Sequence, residues 1–113
     1  MELSELTHRA LQIRAKYAQL EEKAYGKAWT RTQLAQGFVG DVGDLMKLLM
    51  AKEGIRAIPD AESKLAHELA DCLWSVLVLA SLYEIDLEGS FLRTMDELEH
   101  HIETKLHLGE GQF

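Results

Sequence analysis

The sequence predicts an all-α fold of one domain, a four-helix bundle-like architecture that assembles into an oligomer. Three observations carry that prediction. Proline occurs once in 113 residues, at Pro59, so long stretches lack turn chemistry. Apolar residues recur at intervals of three and four rather than two. One segment, residues 69–82, is apolar on nearly every side and needs cover on every side.

The elements follow in order. A first helix is expected over about 3–25, with Leu6, Ala10, Ile13, Tyr17 and Leu20 at helical spacing. Gly26 supplies a stop. A second helix begins after Thr30, which forms a capping-box pair with Gln33, and runs to about residue 53, with Gly54 as its stop. The stretch "GIRAIPDAES" is the one clear linker. A third helix is expected over about 61–83 with Asp60 as N-cap, and a fourth over about 87–106 with Asp86 as N-cap. The tail over 107–113, ending "GEGQF", is expected to fray. The short connections predict a bundle in which the first helix is partly detached.

Charge and composition exclude several classes of function. The net charge is −7, which argues against DNA or RNA as a partner, because nucleic acid selects a basic footprint. The single cysteine, Cys72, rules out an internal disulfide. The charged start "MELSELTHRA" predicts no secretory signal. The run Leu69–Leu82, interrupted by Asp71 and two serines, reads as too short and too polar for a membrane span. The expected setting is cytoplasmic, with no membrane partner.

The acidic residues are the most informative feature. With Asp41 set at zero on a helical wheel, Leu34, Gly37, Phe38, Leu45 and Leu48 fall within about 60° of it. Asp41 therefore sits inside an apolar stripe, and Asp44 follows one turn later. In the third helix, Leu65, Cys72, Ser75, Leu79 and Leu82 share the side of Glu68, and Asp71 again follows at i+3. Two helices thus each present a carboxylate pair from an apolar face. Four such carboxylates cannot remain ionised without counter-charge: either they take up protons or they hold cations. Hard oxygen donors suit Mg²⁺, with Mn²⁺ as the other candidate. Such a cation would also let an acidic protein hold a phosphate-bearing substrate.

The residues "VGDVGDL", "HELADCLWSVLVLA" and "IDLEGSF" together resemble the MazG-like, all-α nucleoside triphosphate pyrophosphatases, over about residues 29–96. The family pattern is E-E-x-x-E, a spacer, then E-x-x-D. Asp41 and Asp44 stand at the second and third acidic positions, and Glu68 and Asp71 match the second motif. The resemblance implies that these four residues ligate Mg²⁺ and form the catalytic site. It implies cleavage of a nucleoside triphosphate to monophosphate and pyrophosphate, in house-cleaning or pool control. It also implies homodimers or homotetramers with sites built between subunits. Gly40 occupies the first acidic position, as in the dCTP pyrophosphatase-like branch. The last helix reads "FLRTMDELEHHI", where Leu98 and Glu99 are poor phosphate ligands and Arg93 is the one cation before Lys105.

Other residues complete the expectation. Trp29 lies before the second helix, where the family places a base-contacting residue; Phe38 shares the Asp41 face; Arg93 is the candidate for phosphate. Trp74 reads as core or interface. Arg31, Lys47, Lys52, Arg56 and Lys64 are further phosphate candidates, each also readable as a solvated charge. His67 adjoins the second motif but points elsewhere on a wheel centred on Glu68. Glu97 and His100 make one E-x-x-H pair, half of what a carboxylate-bridged di-iron bundle uses. The poor cation content of the last helix also admits a non-catalytic nucleotide-binding or interaction module. Within "GFVGDVGDLMKLLM", Gly37 is expected to leave room for metal or substrate, and Gly40 and Gly43 to admit another helix.

Overall fold

The computed structural model describes residues 1–108, and these form four helices: α1 (Leu3–Tyr25), α2 (Arg31–Lys52), α3 (Ala61–Leu82) and α4 (Leu87–Leu108). The all-α prediction and the order of elements hold. Residues 107 and 108 continue α4 rather than fraying; "GEGQF" lies outside the described residues.

The helix ends follow their capping chemistry. At α2 the predicted box is closed in both directions: Gln33 N–H donates to Thr30 Oγ1 at 3.2 Å, and Thr30 N–H to Gln33 Oε1 at 2.8 Å. Gly26 ends α1 in the left-handed region, where its lack of Cβ removes the penalty. Asp86 Oδ1 accepts from Gly89 N–H at 3.1 Å at the start of α4. At α3 the boundary is as predicted but the device is not. Asp60 is itself left-handed (φ 57°) and its side chain makes no cap bond.

The α2–α3 hairpin is antiparallel, pinned at both ends. Lys52 pairs with Glu62 at the linker end. At the other end, Arg31 stacks over the Tyr83 ring at 4.6 Å and donates to the Leu82 carbonyl at 3.3 Å. Arg31 and Lys52, two of the phosphate candidates, are thereby committed to the scaffold.

α3 is the central element, with α1 and α2 both packed along it. The core is a small cluster of Ala10, Leu34, Leu77 and Val78, edged by Trp74, Leu79, Leu82 and Leu87. Trp74 satisfies its indole N–H on the Ala10 carbonyl at 3.1 Å, in agreement with a core role. The expectation that the first helix is partly detached is reversed. α1 seats on α3, while α4 meets the core through Leu87 at its first residue and then runs clear of the body. Nothing in periodicity distinguishes these cases, because α4 carries an apolar stripe of its own.

By length and composition the whole of α3 is apolar enough to cross a membrane, although residues 69–82 alone are too short. Its carboxylates, however, face α2, and it serves as the shared wall of two helix pairs.

Candidate metal and nucleotide site

The antiparallel hairpin brings the middle of α2 opposite the second turn of α3. Asp41, Asp44 and Glu68 converge there, each offering an oxygen within 4.8 Å of the others. Asp41 and Glu68 are half-buried; Asp44 is exposed, so the inward prediction fails for that one side chain. Asp44 lies 4.0 Å from Lys47 Nζ. Asp71 stands beside the trio, close enough to act electrostatically on both Asp41 and Glu68. Its Oδ2 is 3.1 Å from His67 Nε2.

The electrostatics are those of crowded like charges. Burial pushes the Asp41 carboxyl above its usual range, and Asp71 and Asp44 push it further. Burial does the same to Glu68, followed by Asp71, Asp41 and Asp44. His67 opposes the shift in both. The Cys72 thiol is also raised, by burial first and then by Asp41, Glu68 and Asp71, which keeps it protonated and inert.

Glu68 Oε2 tests the fit of a divalent cation. It is buried and has no hydrogen-bond partner among the described residues. An acceptor left in that state is costly. A hard cation bound by oxygen ligands removes both that cost and the mutual repulsion. The residues present therefore fit such an ion.

Two cavities meet at this cluster. The larger, about 890 Å³, is mostly apolar and aromatic; Tyr17, Trp29 and Trp74 line it, with Asp41, His67 and Asp71 at its acidic side. Tyr17 and Trp74 meet edge to face there, with ring centroids 5.9 Å apart. The smaller, about 450 Å³, is mixed; Lys47, Ser63, Lys64 and His67 line it with the carboxylates of Asp44 and Glu68 and with apolar Leu48 and Ile58.

Of the substrate candidates, Trp29 reaches the large cavity, while Phe38 and Arg93 line neither one. Phe38 has the correct angle on α2 but sits a turn before Asp41. Arg93 travels with the divergent α4, where its guanidinium donates to Ser90 Oγ at 3.3 Å. Glu97 and His100 are exposed on the same helix and join no cluster of metal-ligating groups among the described residues.

The glycines divide between the cavity and open space. Gly37 lines the large cavity with Trp29 and Asp41, and a Cβ there would rest 3.6 Å from Trp29 Cζ3, an ordinary contact. A Cβ on Gly40 or Gly43 meets nothing within 4 Å, so no helix of this chain approaches closely there.

Three residues bonded to the groups that line the large cavity stand outside the sequence-based expectation. His67 shares a flank with Asp71, about 40° away on the wheel, which is hidden when Glu68 is set at zero. Arg14 and Glu21 are the others. Polar residues seven apart within the α1 stripe of Ala10 and Tyr17 were the available signal.

Comparison with protein families matches residues 41–104 to the MazG nucleotide pyrophosphohydrolase domain. No curated protein and no solved structure matches the chain. The match spans more than half of the sequence and contains both acidic pairs and the hairpin that joins them. The chain thus belongs to the MazG nucleotide pyrophosphohydrolase family, a metal-dependent family.

Proposed function

We propose that this chain is a Mg²⁺-dependent nucleoside triphosphate pyrophosphohydrolase that converts a (d)NTP to its monophosphate and pyrophosphate. One observation carries the reading: two cavities, one lined by aromatic rings and one bearing two lysines, flank a single carboxylate cluster. A nucleoside triphosphate has the same division, with an aromatic base at one end and a polyanion at the other.

In this reading the base enters the aromatic cavity and stacks on Trp29. The outer phosphates extend to Lys47 and Lys64, which take the part that the cation-poor α4 leaves open. Asp41, Asp44, Glu68 and Asp71 hold the metal. Mg²⁺, when bound, supplies charge to the phosphate oxygens and acidifies water. Asp71, fixed by His67, orients the attacking water. Attack at the α-phosphorus forms the new P–O bond and breaks the bond to the α–β bridging oxygen, whose electron pair leaves with pyrophosphate. Gly40 fits the dCTP pyrophosphatase-like branch, and a cytoplasmic role in pool control or house-cleaning follows from the substrate class. The acting species is a homodimer or homotetramer.

A panel of canonical and modified nucleotides with Mg²⁺, scored for pyrophosphate, tests this. Turnover of at least one is expected. Asp71→Asn should lower kcat about 100-fold or more, and Lys64→Ala should raise KM about tenfold. No turnover by any nucleotide, with metal affinity unchanged in Asp71→Asn, would leave the non-catalytic module as the function.

A further inference from the structure

The α1–α2 connection carries Trp29 into the aromatic cavity without secondary structure to hold it. Among the described residues, none of its backbone groups from Lys27 to Trp29 bonds to another backbone group. The Trp29 peptide is instead gripped by two side chains of α1. Glu21 Oε1 accepts from Trp29 N–H at 2.8 Å. Arg14 Nη2 donates to the Trp29 carbonyl at 2.8 Å. Arg14 Nη1 closes the ring on Glu21 Oε1 at 3.2 Å. Donor and acceptor of one residue are thus both fixed from the same helix face.

Burial makes this an unusual use of charge. Glu21 is 8% exposed, one of two buried polar residues among those described. A buried ion pair contributes little net stability, because desolvation offsets the attraction. What the pair does supply is geometry, since a planar guanidinium and a carboxylate tolerate few arrangements. The geometry falls on the indole. With its backbone fixed, Trp29 lies over Gly37 and walls the cavity that Asp41 and Asp71 close on the other side.

We propose that Arg14 and Glu21 are positioning residues, a clamp that holds Trp29 at a set distance from α2 and thereby determines how tightly the aromatic cavity grips a planar base. The role in base binding rests on the pyrophosphohydrolase reading above; the clamping of Trp29 does not. Base affinity then depends on α1, a helix that supplies none of the metal-holding carboxylates and lies outside the family match.

The experiment labels the protein with 5-fluorotryptophan. The chain has two tryptophans, so two ¹⁹F resonances are expected, and Trp29→Phe assigns one by deleting it. In Arg14→Lys and Glu21→Ala the Trp29 resonance should narrow and move towards the free-amino-acid position, while that of Trp74 stays. Glu21→Gln, which keeps the acceptor for Trp29 N–H, should restore most of the wild-type line. With a nucleotide that the wild type hydrolyses, Arg14→Lys should raise KM about tenfold and change kcat less than about twofold. Arg14→Lys retains charge and most of its length, so it provides the test even where Glu21→Ala fails to fold. A Trp29 resonance unmoved in Arg14→Lys, or a loss confined to kcat, would overturn the clamp. Failure of the wild type to hydrolyse any nucleotide would instead overturn the function and leave the ¹⁹F result to decide the clamp alone.

Discussion

Glu68 places one carboxylate oxygen beyond the reach of water and of every donor among the described residues. Asp41 and Glu68 both have folded-state pKa values raised above the ordinary carboxylate value of about 4. The folded chain therefore keeps protons that the unfolded chain has released. That contribution to stability is full below the unfolded value and is lost as pH rises through the folded ones. In chelator, Glu68→Gln should gain on the wild type in melting temperature as pH rises from 4 towards 7. Mg²⁺ should reverse the ranking at neutral pH, because the metal selects ionised carboxylates; its affinity should fall about tenfold or more in the variant. Thermal melts across pH, with and without metal, check both statements. The meeting of Asp41 and Glu68 was legible in the sequence, because a carboxylate within an apolar stripe is a conflict that needs a resolution; the exposure of Asp44 was not. Arg14 and Glu21 were not, because their partner is a loop peptide. Their i, i+7 spacing within the α1 stripe marks them as polar residues on an apolar face, but hydrogen bonds across eight and fifteen residues do not name the partner.

At the scale of elements, local chemistry was the dependable guide. The Thr30–Gln33 box closed as written, because both partners lie within four residues. Thr30→Ala should cost about 1 kcal/mol in denaturant melts. The loss has a second expression, since Thr30 follows Trp29 directly and a frayed α2 start slackens the cavity wall. Asp60 marks the limit of such reasoning: residue type indicated a boundary, but the left-handed backbone turned the side chain away from the amides it was expected to cap. The placement of α4 lay beyond reach for a different reason. An amphipathic stripe tells that a helix will be covered, not by what, and α4 leaves Phe91, Met95, Leu98 and Ile102 bare within its own chain.

The whole molecule is too open for its length. The radius of gyration is 18.5 Å, against about 13 Å for a compact domain of this size. Val39, Val42, Met46 and Leu49 form an exposed stripe along α2, with Met46 at 59% exposure. Leu69, Leu73 and Val76 form another on α3. Gly43 interleaves the first, with open space above it. The homo-oligomer proposed above would cover these stripes with a second copy, and would give Gly43 the close approach that no helix of its own chain makes. Sedimentation should find a species heavier than 12.8 kDa; Met46→Lys should shift it towards that mass. The bare stripes carry a further consequence, for folding. A chain whose central helix is finished only by another chain completes its folding in a second-order step. Refolding should then slow on dilution in its last phase, and each tenfold dilution should remove about 1.4 kcal/mol from the stability of a dimer. At low cellular abundance, the amount of folded protein would respond more than proportionally to synthesis.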